Sequence, residues 1–266
     1  MKKVVLAIAV LSLALFVSSC ATTTATIPPP TTAPVIQQMP SSIVIIGPIS
    51  SGMPAPRANI YHEVGPGETI WRISKMYDVP IEKIVEANNL YDATQIKNGQ
   101  RLLIPDAAPI KPVVALFKSD KWKYIIVHHS ATEFGNARVF DVGHQQRGFT
   151  RGLGYHFVID NGTQTKVDGQ IEASPRWIKQ LDGAHCSAGG MNSKAIGICL
   201  VGDFNNSVPT QQQMDSLVYL VNILRKAYDI PEENILCHRD VYGAKTDCPG
   251  DTFPWWEFKQ RLITEE

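Results

Sequence analysis

Apolar residues along this chain gather in runs of distinct period. Val4 to Val17 is a nearly unbroken apolar stretch of 14 residues behind the basic start Met1-Lys2-Lys3. It is too short for a comfortable membrane span and has the length of a signal-peptide core, which predicts a leader over residues 1–19. Residues 20–59 lose the pattern. They are rich in Thr, Pro and Ser, with Pro28-Pro29-Pro30 among them. Such a composition buries too little surface to order itself, so a semi-extended tether is expected. Ile43-Val44-Ile45-Ile46 interrupts it and reads as an edge strand docking on a folded domain, with no function attached to it.

Regular periods return over residues 60–105. Ile60 to Val64 alternates as a short strand, and Gly65-Pro66-Gly67 is a turn. Thr69 then reads as a helix N-cap, followed by Ile70, Ile73 and Tyr77 at helical spacing. Pro80 opens a second helix with Ile81, Ile84 and Val85 on one side. Asn98-Gly99 is a turn before a closing strand, Arg101 to Ile104. The unit is a small α+β domain of βααβ order, with Trp71 and Tyr77 expected in its core. A Pro-bearing linker, 106–112, leads into residues 113–266. There Tyr124 to Val127 is a strand delivering His128 and His129, whose side chains should point to opposite faces. A strand over Tyr155 to Ile159 places Tyr155, Phe157 and Ile159 on one face and His156 and Val158 on the other. Ile196 to Val201 is nearly all apolar and should be central. Thr210 to Gln213 forms a capping box opening a long amphipathic helix with Met214, Leu217, Val218, Val221 and Leu224 on one stripe. Strands separated by helices predict an α/β domain, helices packed on a central sheet.

Composition narrows the function. Of 266 residues, 25 are Lys or Arg and 25 are Asp or Glu, so the net charge is zero. That excludes a basic nucleic-acid binder, whose phosphate contacts need clustered positive charge. Residues 113–266 hold six of the seven His and four of the five Cys. His and Cys are natural zinc ligands, and three of them plus water make a catalytic site. The set read from the residues is one of His128 and His129, with His238 and Cys248. Cys199, inside a strand, reads as a small buried apolar residue. Cys186 and Cys237 are able to bridge in an oxidising compartment.

Several motifs resemble known families. Gly67-Glu68-Thr69-Ile70-Trp71, Val79-Pro80, Ala87-Asn88 and Gly99 to Pro105 are similar to a LysM domain. That resemblance implies binding of N-acetylglucosamine-containing glycans such as peptidoglycan, through Gly67, Glu68, Thr69 and Ile70 with Leu90 and Tyr91 opposite. Val17-Ser18-Ser19-Cys20 resembles a bacterial lipobox, which implies lipidation of Cys20, export and a membrane anchor. With Ala21 next, it implies the outer membrane, facing the periplasm, in a two-membrane host. Ile126 to Thr132, Gly152 to Ile159, Gly183-Ala184-His185, Ile196 to Phe204, His238-Arg239-Asp240 and Thr246 to Gly250 occur in the order of the type-2 N-acetylmuramoyl-L-alanine amidases. That family includes phage amidases and the peptidoglycan recognition proteins, and the likeness runs from about Lys123 to Trp256. It implies a central mixed β-sheet flanked by helices, with Zn2+ on His128, His238 and Cys248. It implies catalytic roles for Tyr155 facing the metal-bound water, His185 lining the cleft, and Thr246. Thr246 and His185 are the expected donors to an oxyanion. A Tyr hydroxyl, with an ordinary pKa of about 10, is a poor base and suits an orienting role.

The expected protein is therefore a lipid-anchored zinc amidase that cleaves between N-acetylmuramic acid and L-alanine, with peptidoglycan glycan strands and stem peptides as partners. The alternative is a non-catalytic recognition or tethering lipoprotein, whose mark would be loss of the Cys ligand. Cys20→Ala is expected to abolish metabolic lipid labelling and to move the protein from the membrane to the soluble fraction, because a diacylated Cys supplies the two buried chains that stable anchoring requires. Unlabelled wild type with unchanged fractionation would refute the anchor.

Overall fold

Pairing of short strands organises the N-terminal half of the fold. The computed structural model describes residues 43–46 and 56–264, so the leader, Cys20 and most of the expected tether lie outside the described residues. β1 (Ile43–Ile46) pairs antiparallel with β4 (Val113–Leu116), Ile43 opposite Leu116, which makes the apolar interruption of the tether a docked strand. β2 (Ala58–Glu63) and β3 (Arg101–Ala107) pair antiparallel around α1 (Ile70–Tyr77) and α2 (Ile81–Ala87). Thr69 caps α1 by accepting from Arg72 N–H at 3.3 Å, and Asp78 ends it in the left-handed region at φ 53°. Ile70, Ile73, Met76, Tyr77, Ile84, Leu102 and Ile104 form the core of this unit. Trp71 packs against that core while remaining half-buried.

The expected linker is fastened down. Ala108 N–H donates to Tyr77 O and Lys111 N–H to Met76 O, both at 2.9 Å. β4 then alternates between two cores: Val113 belongs to the N-terminal one, and Val114 and Leu116 to the larger one that follows. All described residues belong to one compact unit.

The second half is built on β5 (Tyr124–His129), β6 (Phe157–Asn161), β7 (Asp168–Ala173), β8 (Ala195–Leu200) and β9 (Ile235–Cys237). The order is β7-β6-β8-β5-β9, with β7 antiparallel to β6 and the remaining pairs parallel. The sheet is mixed, and β8 lies in its centre as the apolar run requires. One face carries Ile125, Val127, Phe157, Ile159, Ile196 and Ile198 against α5 (Gln211–Tyr228) and α6 (Trp255–Thr264). α5 opens with both halves of the capping box in place. The opposite face, with α3 (Ala137–Gln146), carries the polar chemistry, while α4 (Pro175–Ile178) sets Trp177 into the core of the first face.

One expectation is corrected and one open possibility is closed. Tyr155 does not share a face with Phe157 and Ile159. The chain enters β6 only at Phe157, and the preceding segment is held aside, with Gly154 N–H donating to His144 Nδ1 at 2.8 Å. Tyr155 therefore packs with Val158 and Leu153 on the polar side. Cys186, Cys199, Cys237 and Cys248 are all buried free thiols, so Cys186 and Cys237 form no bridge.

His156 is fully buried, accepting from Gly197 N–H on Nδ1 (3.0 Å) and donating from Nε2 to Leu181 O (3.1 Å). Burial drives its pKa from the ordinary 6.5 to about 3. The unfolded chain thus takes up a proton near pH 6.5 that the folded chain refuses until about 3. The stability linked to this residue is complete above pH 6.5 and is lost as the pH falls towards 3. His156→Gln, which keeps an acceptor and a donor, is expected to flatten the loss by up to about 1.4 kcal/mol per pH unit. Urea unfolding of both proteins at pH 7 and pH 4.5 reads this directly, and equal slopes would contradict it.

Candidate active site

β5 and β9 are parallel neighbours in register, with Val127 opposite Cys237. The next residue on each is therefore a neighbour as well. These are His128 and His238, whose ring centroids lie 4.6 Å apart at the carboxyl ends of the strands. Crevices outside such strand ends are where α/β sheets bind ligands. Cys248 arrives on the following loop. Arg239, beside His238, holds that loop through Arg239 N–H to Cys248 O (2.9 Å) and a guanidinium contact to Asp251 (3.1 Å). Gly250, at φ 105°, permits close contact: a Cβ there would lie 2.3 Å from the Phe204 carbonyl carbon.

One ligand atom from each of His128, His238 and Cys248 falls within 4.8 Å of the others. Cys248 Sγ is 3.6 Å from His128 Nδ1. Zinc with bonds of about 2.3 Å to sulfur and 2.0–2.1 Å to nitrogen sets S and N about 3.6 Å apart in a tetrahedron, so the donors fit that ion. His129 points the other way, its Nδ1 accepting from Phe204 N–H at 3.1 Å and its ring lying beside Phe204. The alternation along β5 has separated the two histidines, and the open choice between them resolves to His128.

A chain of hydrogen bonds sets which nitrogen of His128 is bare. The Ala195 carbonyl only accepts, so His185 Nε2, at 3.3 Å, carries the proton. His185 Nδ1 therefore accepts from His128 Nε2–H at 3.0 Å. His128 Nδ1 is left as a lone pair facing Cys248. Burial first, then neighbouring histidines, hold both rings' pKa values well below 6.5 and keep them neutral. Gly197 makes room for this arrangement, since a Cβ there would sit 2.4 Å from His185 Cδ2. The oxyanion donor expected at His185 is thus unavailable. Its one N–H is engaged by Ala195, and the side chain acts on His128 instead.

Tyr155 lies with its ring 5.2 Å from His128. Burial, with Cys199 and Cys248 adding to it, pushes its hydroxyl well above 10. Tyr155 stays protonated and is a hydrogen-bond donor. Thr246 is exposed, and its Oγ1 accepts from Cys248 N–H at 3.1 Å, which shapes the ligand loop and leaves the hydroxyl proton free to donate. Burial raises the Cys248 thiol to about 12, opposed by the His129 backbone N–H. A cation at the site favours the thiolate.

The residues expected to bind glycan divide. Tyr91 is 97% exposed, the Gly67 backbone is exposed, and Leu90 is half-buried. Glu68 is withdrawn from solvent and is corrected as a glycan contact. Its Oε2 accepts from His62 Nε2–H (2.7 Å) and Gly65 N–H (2.9 Å), and its Oε1 from Arg72 (2.7 Å). Burial alone would raise the Glu68 carboxyl, but His62, Arg72 and Lys166 outweigh it and hold it well below the usual range. Ile70 is core, and the Thr69 hydroxyl is the helix cap. Sequence reasoning missed Arg176 entirely. Its Nε donates to Leu153 O (2.6 Å) and Nη1 to Asp182 O (2.5 Å), tying together the loops that carry Tyr155 and His185.

Residues 118–251 match the family model described as N-acetylmuramoyl-L-alanine amidase, and residues 62–105 match the LysM domain. The endolysin of Enterobacteria phage K11 is 30% identical over 165 residues, 58% of this chain and 97% of the phage protein. That of Escherichia phage T7 is 34% identical over 151 residues, 53% of this chain and 89% of the phage protein. Among solved structures, the N-acetylmuramoyl-L-alanine amidase LysC from Clostridium intestinale URNW is similar at 35% identity, covering 55% of this chain and 89% of that one, with a TM-score of 0.46. A family model spanning half of the sequence, together with a phage relative matched over nearly its whole length, shows that this chain belongs to the N-acetylmuramoyl-L-alanine amidase family.

Proposed function

We propose that this protein hydrolyses the amide between N-acetylmuramic acid and L-alanine in peptidoglycan as a zinc enzyme, held at the cell envelope by a lipid on Cys20. The observation that carries the zinc reading is the convergence of His128, His238 and Cys248 within 4.8 Å. The anchor rests on the lipobox-like Val17 to Cys20 alone.

Amides resist hydrolysis because the carbonyl is a poor electrophile and the amine a poor leaving group. Zinc, when bound, would supply Lewis-acid polarisation of that carbonyl and activation of water. The chain's own groups do the rest. His128 Nδ1, His238 and Cys248 Sγ present the donors. His185, backed by Ala195 O, holds His128 in the tautomer that can bind. The Tyr155 hydroxyl, kept protonated by burial, orients water and donates to developing negative charge. The Thr246 hydroxyl, at the rim of the site, is the second donor.

The decisive assay is digestion of purified sacculi followed by mass analysis. Free peptides beginning in L-Ala, with intact glycan strands, are expected. Cleaved glycan or peptides beginning elsewhere would overturn the bond assignment. Purified protein should hold about one zinc per chain, and Cys248→Ala should lose most of it together with activity, since three protein ligands are the minimum for such a site. Full activity of metal-stripped protein would end the zinc reading.

His185→Ala should behave differently. It leaves the ligand set intact but removes the acceptor for His128 Nε2–H. Zinc affinity measured by competition with a chromogenic chelator is expected to fall about 10–100-fold. An unchanged affinity would show that the tautomer relay has no role.

A further inference from the structure

The LysM domain meets the amidase domain without a free hinge. β4 contributes Val113 to one core and Val114 to the other. Arg72 on α1 reaches across, donating from Nη2 to Ile171 O (2.8 Å) and from Nε to Val113 O (3.1 Å). In return, Lys166 of the amidase domain donates to Glu63 O (2.9 Å) and pairs with Glu172 (2.8 Å), with 1% and 5% of the two side chains exposed. Glu172 also lies against the LysM turn, since a Cβ on Gly65 would fall 2.9 Å from its Oε2.

The contact falls on two LysM loops, and each leads straight to the catalytic loop. A Cβ on Gly67 would lie 3.2 Å from Pro175 at the start of α4, and the next residue, Arg176, grips Leu153 O and Asp182 O. A Cβ on Gly99 would lie 2.7 Å from Arg138 Nε in the first turn of α3. One helical turn further on, about 5 Å, Asp141 Oδ1 accepts from Leu153 N–H at 2.7 Å. Tyr155 follows two residues after Leu153.

We infer that the LysM domain is a fixed arm of the substrate cleft, holding a glycan strand at a set separation from the scissile bond, and that Arg72 and Lys166 are the positioning residues that keep it in register. This rests on the amidase reading above and names its substrate class as the glycan polymer rather than the soluble muropeptide. A strand seated on the exposed LysM loops presents a neighbouring stem peptide to the cleft. The advantage of joining two sites depends on geometry that allows simultaneous engagement, and the buried pairs supply that geometry.

The test uses the full chain carrying Lys166→Met or Arg72→Met, which loosen the junction from opposite sides. Three quantities are read: the rate on sacculi, the rate on a monomeric muropeptide, and binding to insoluble peptidoglycan in the presence of chelator. The sacculus rate is expected to fall at least about tenfold, with the monomer rate and binding within about twofold of wild type. An unchanged sacculus rate would make LysM a loose anchor and overturn the inference. An equal fall on both substrates would overturn it too, assigning the network to support of the catalytic loops alone. Calorimetry of the wild type decides the matter independently of folding of the variants: one cooperative transition is expected, and two separate transitions would refute a fixed arm. Failure of the amidase reading is distinguishable, because it would show as wild-type inactivity on the monomer.

Discussion

The parallel register of β5 with β9 is the constraint on which the site depends. Because Val127 faces Cys237, the residues that follow leave their strands side by side. His128 and His238, 110 positions apart in sequence, become neighbours with no further device. The third member of the cluster, Cys248, needs only a short return of the chain, and Arg239 provides it by clasping Cys248 O and Asp251. A slip of one residue in β5 would exchange His128 for His129 and turn the ligand towards Phe204. Register is protected by the apolar face: Ile125 and Val127 are locked into the core beneath α5.

Burial then dictates protonation. A nitrogen that is to bind a cation must be bare, and a buried imidazole left to itself has two tautomers to choose between. The Ala195 carbonyl removes the choice for His185, and His185 removes it for His128. The same low-dielectric setting keeps Tyr155 protonated. Neutral imidazoles and a protonated phenol thus share one physical cause acting on two chemistries: desolvation opposes the charged form of both.

Much of this was legible in the sequence where period and motif coincide. The capping box at Thr210, the Thr69 cap and the central apolar β8 follow from local pattern, whereas the choice of His128 over His129 beside His238 and Cys248 came only from family resemblance. What escaped was long-range. Alternation carried Tyr155 onto the face of Phe157 because nothing in the residues marks where a strand starts. The engagement of the His185 N–H by Ala195 depends on a backbone carbonyl, which carries no sequence signal. Glu68 looked like a groove residue within its own motif. Its withdrawal depends on His62, six residues back, and on Arg72, one turn on. Lys166 and Glu172 look like ordinary surface charges until the other domain covers them.

That covering also explains why the junction is built from charge. β7 is an edge of the sheet, and exposed edges invite unwanted pairing. An apolar cap would protect the edge, but apolar contacts slide. Buried ion pairs add little net stability, because desolvating both partners offsets their attraction. They are directional, however, and displacing one partner strands the other in a low-dielectric setting. Asp160, fully buried beside Glu172, is pushed well above the usual carboxyl range by burial and by that neighbour, and Lys166 pairs with Glu172 at 2.8 Å. Arg72 is answered by Glu68 and by two carbonyls, one from β4 and one from β7. Each domain therefore holds a buried charge whose partners are complete in only one relative orientation. An interface of this kind contributes position more than affinity.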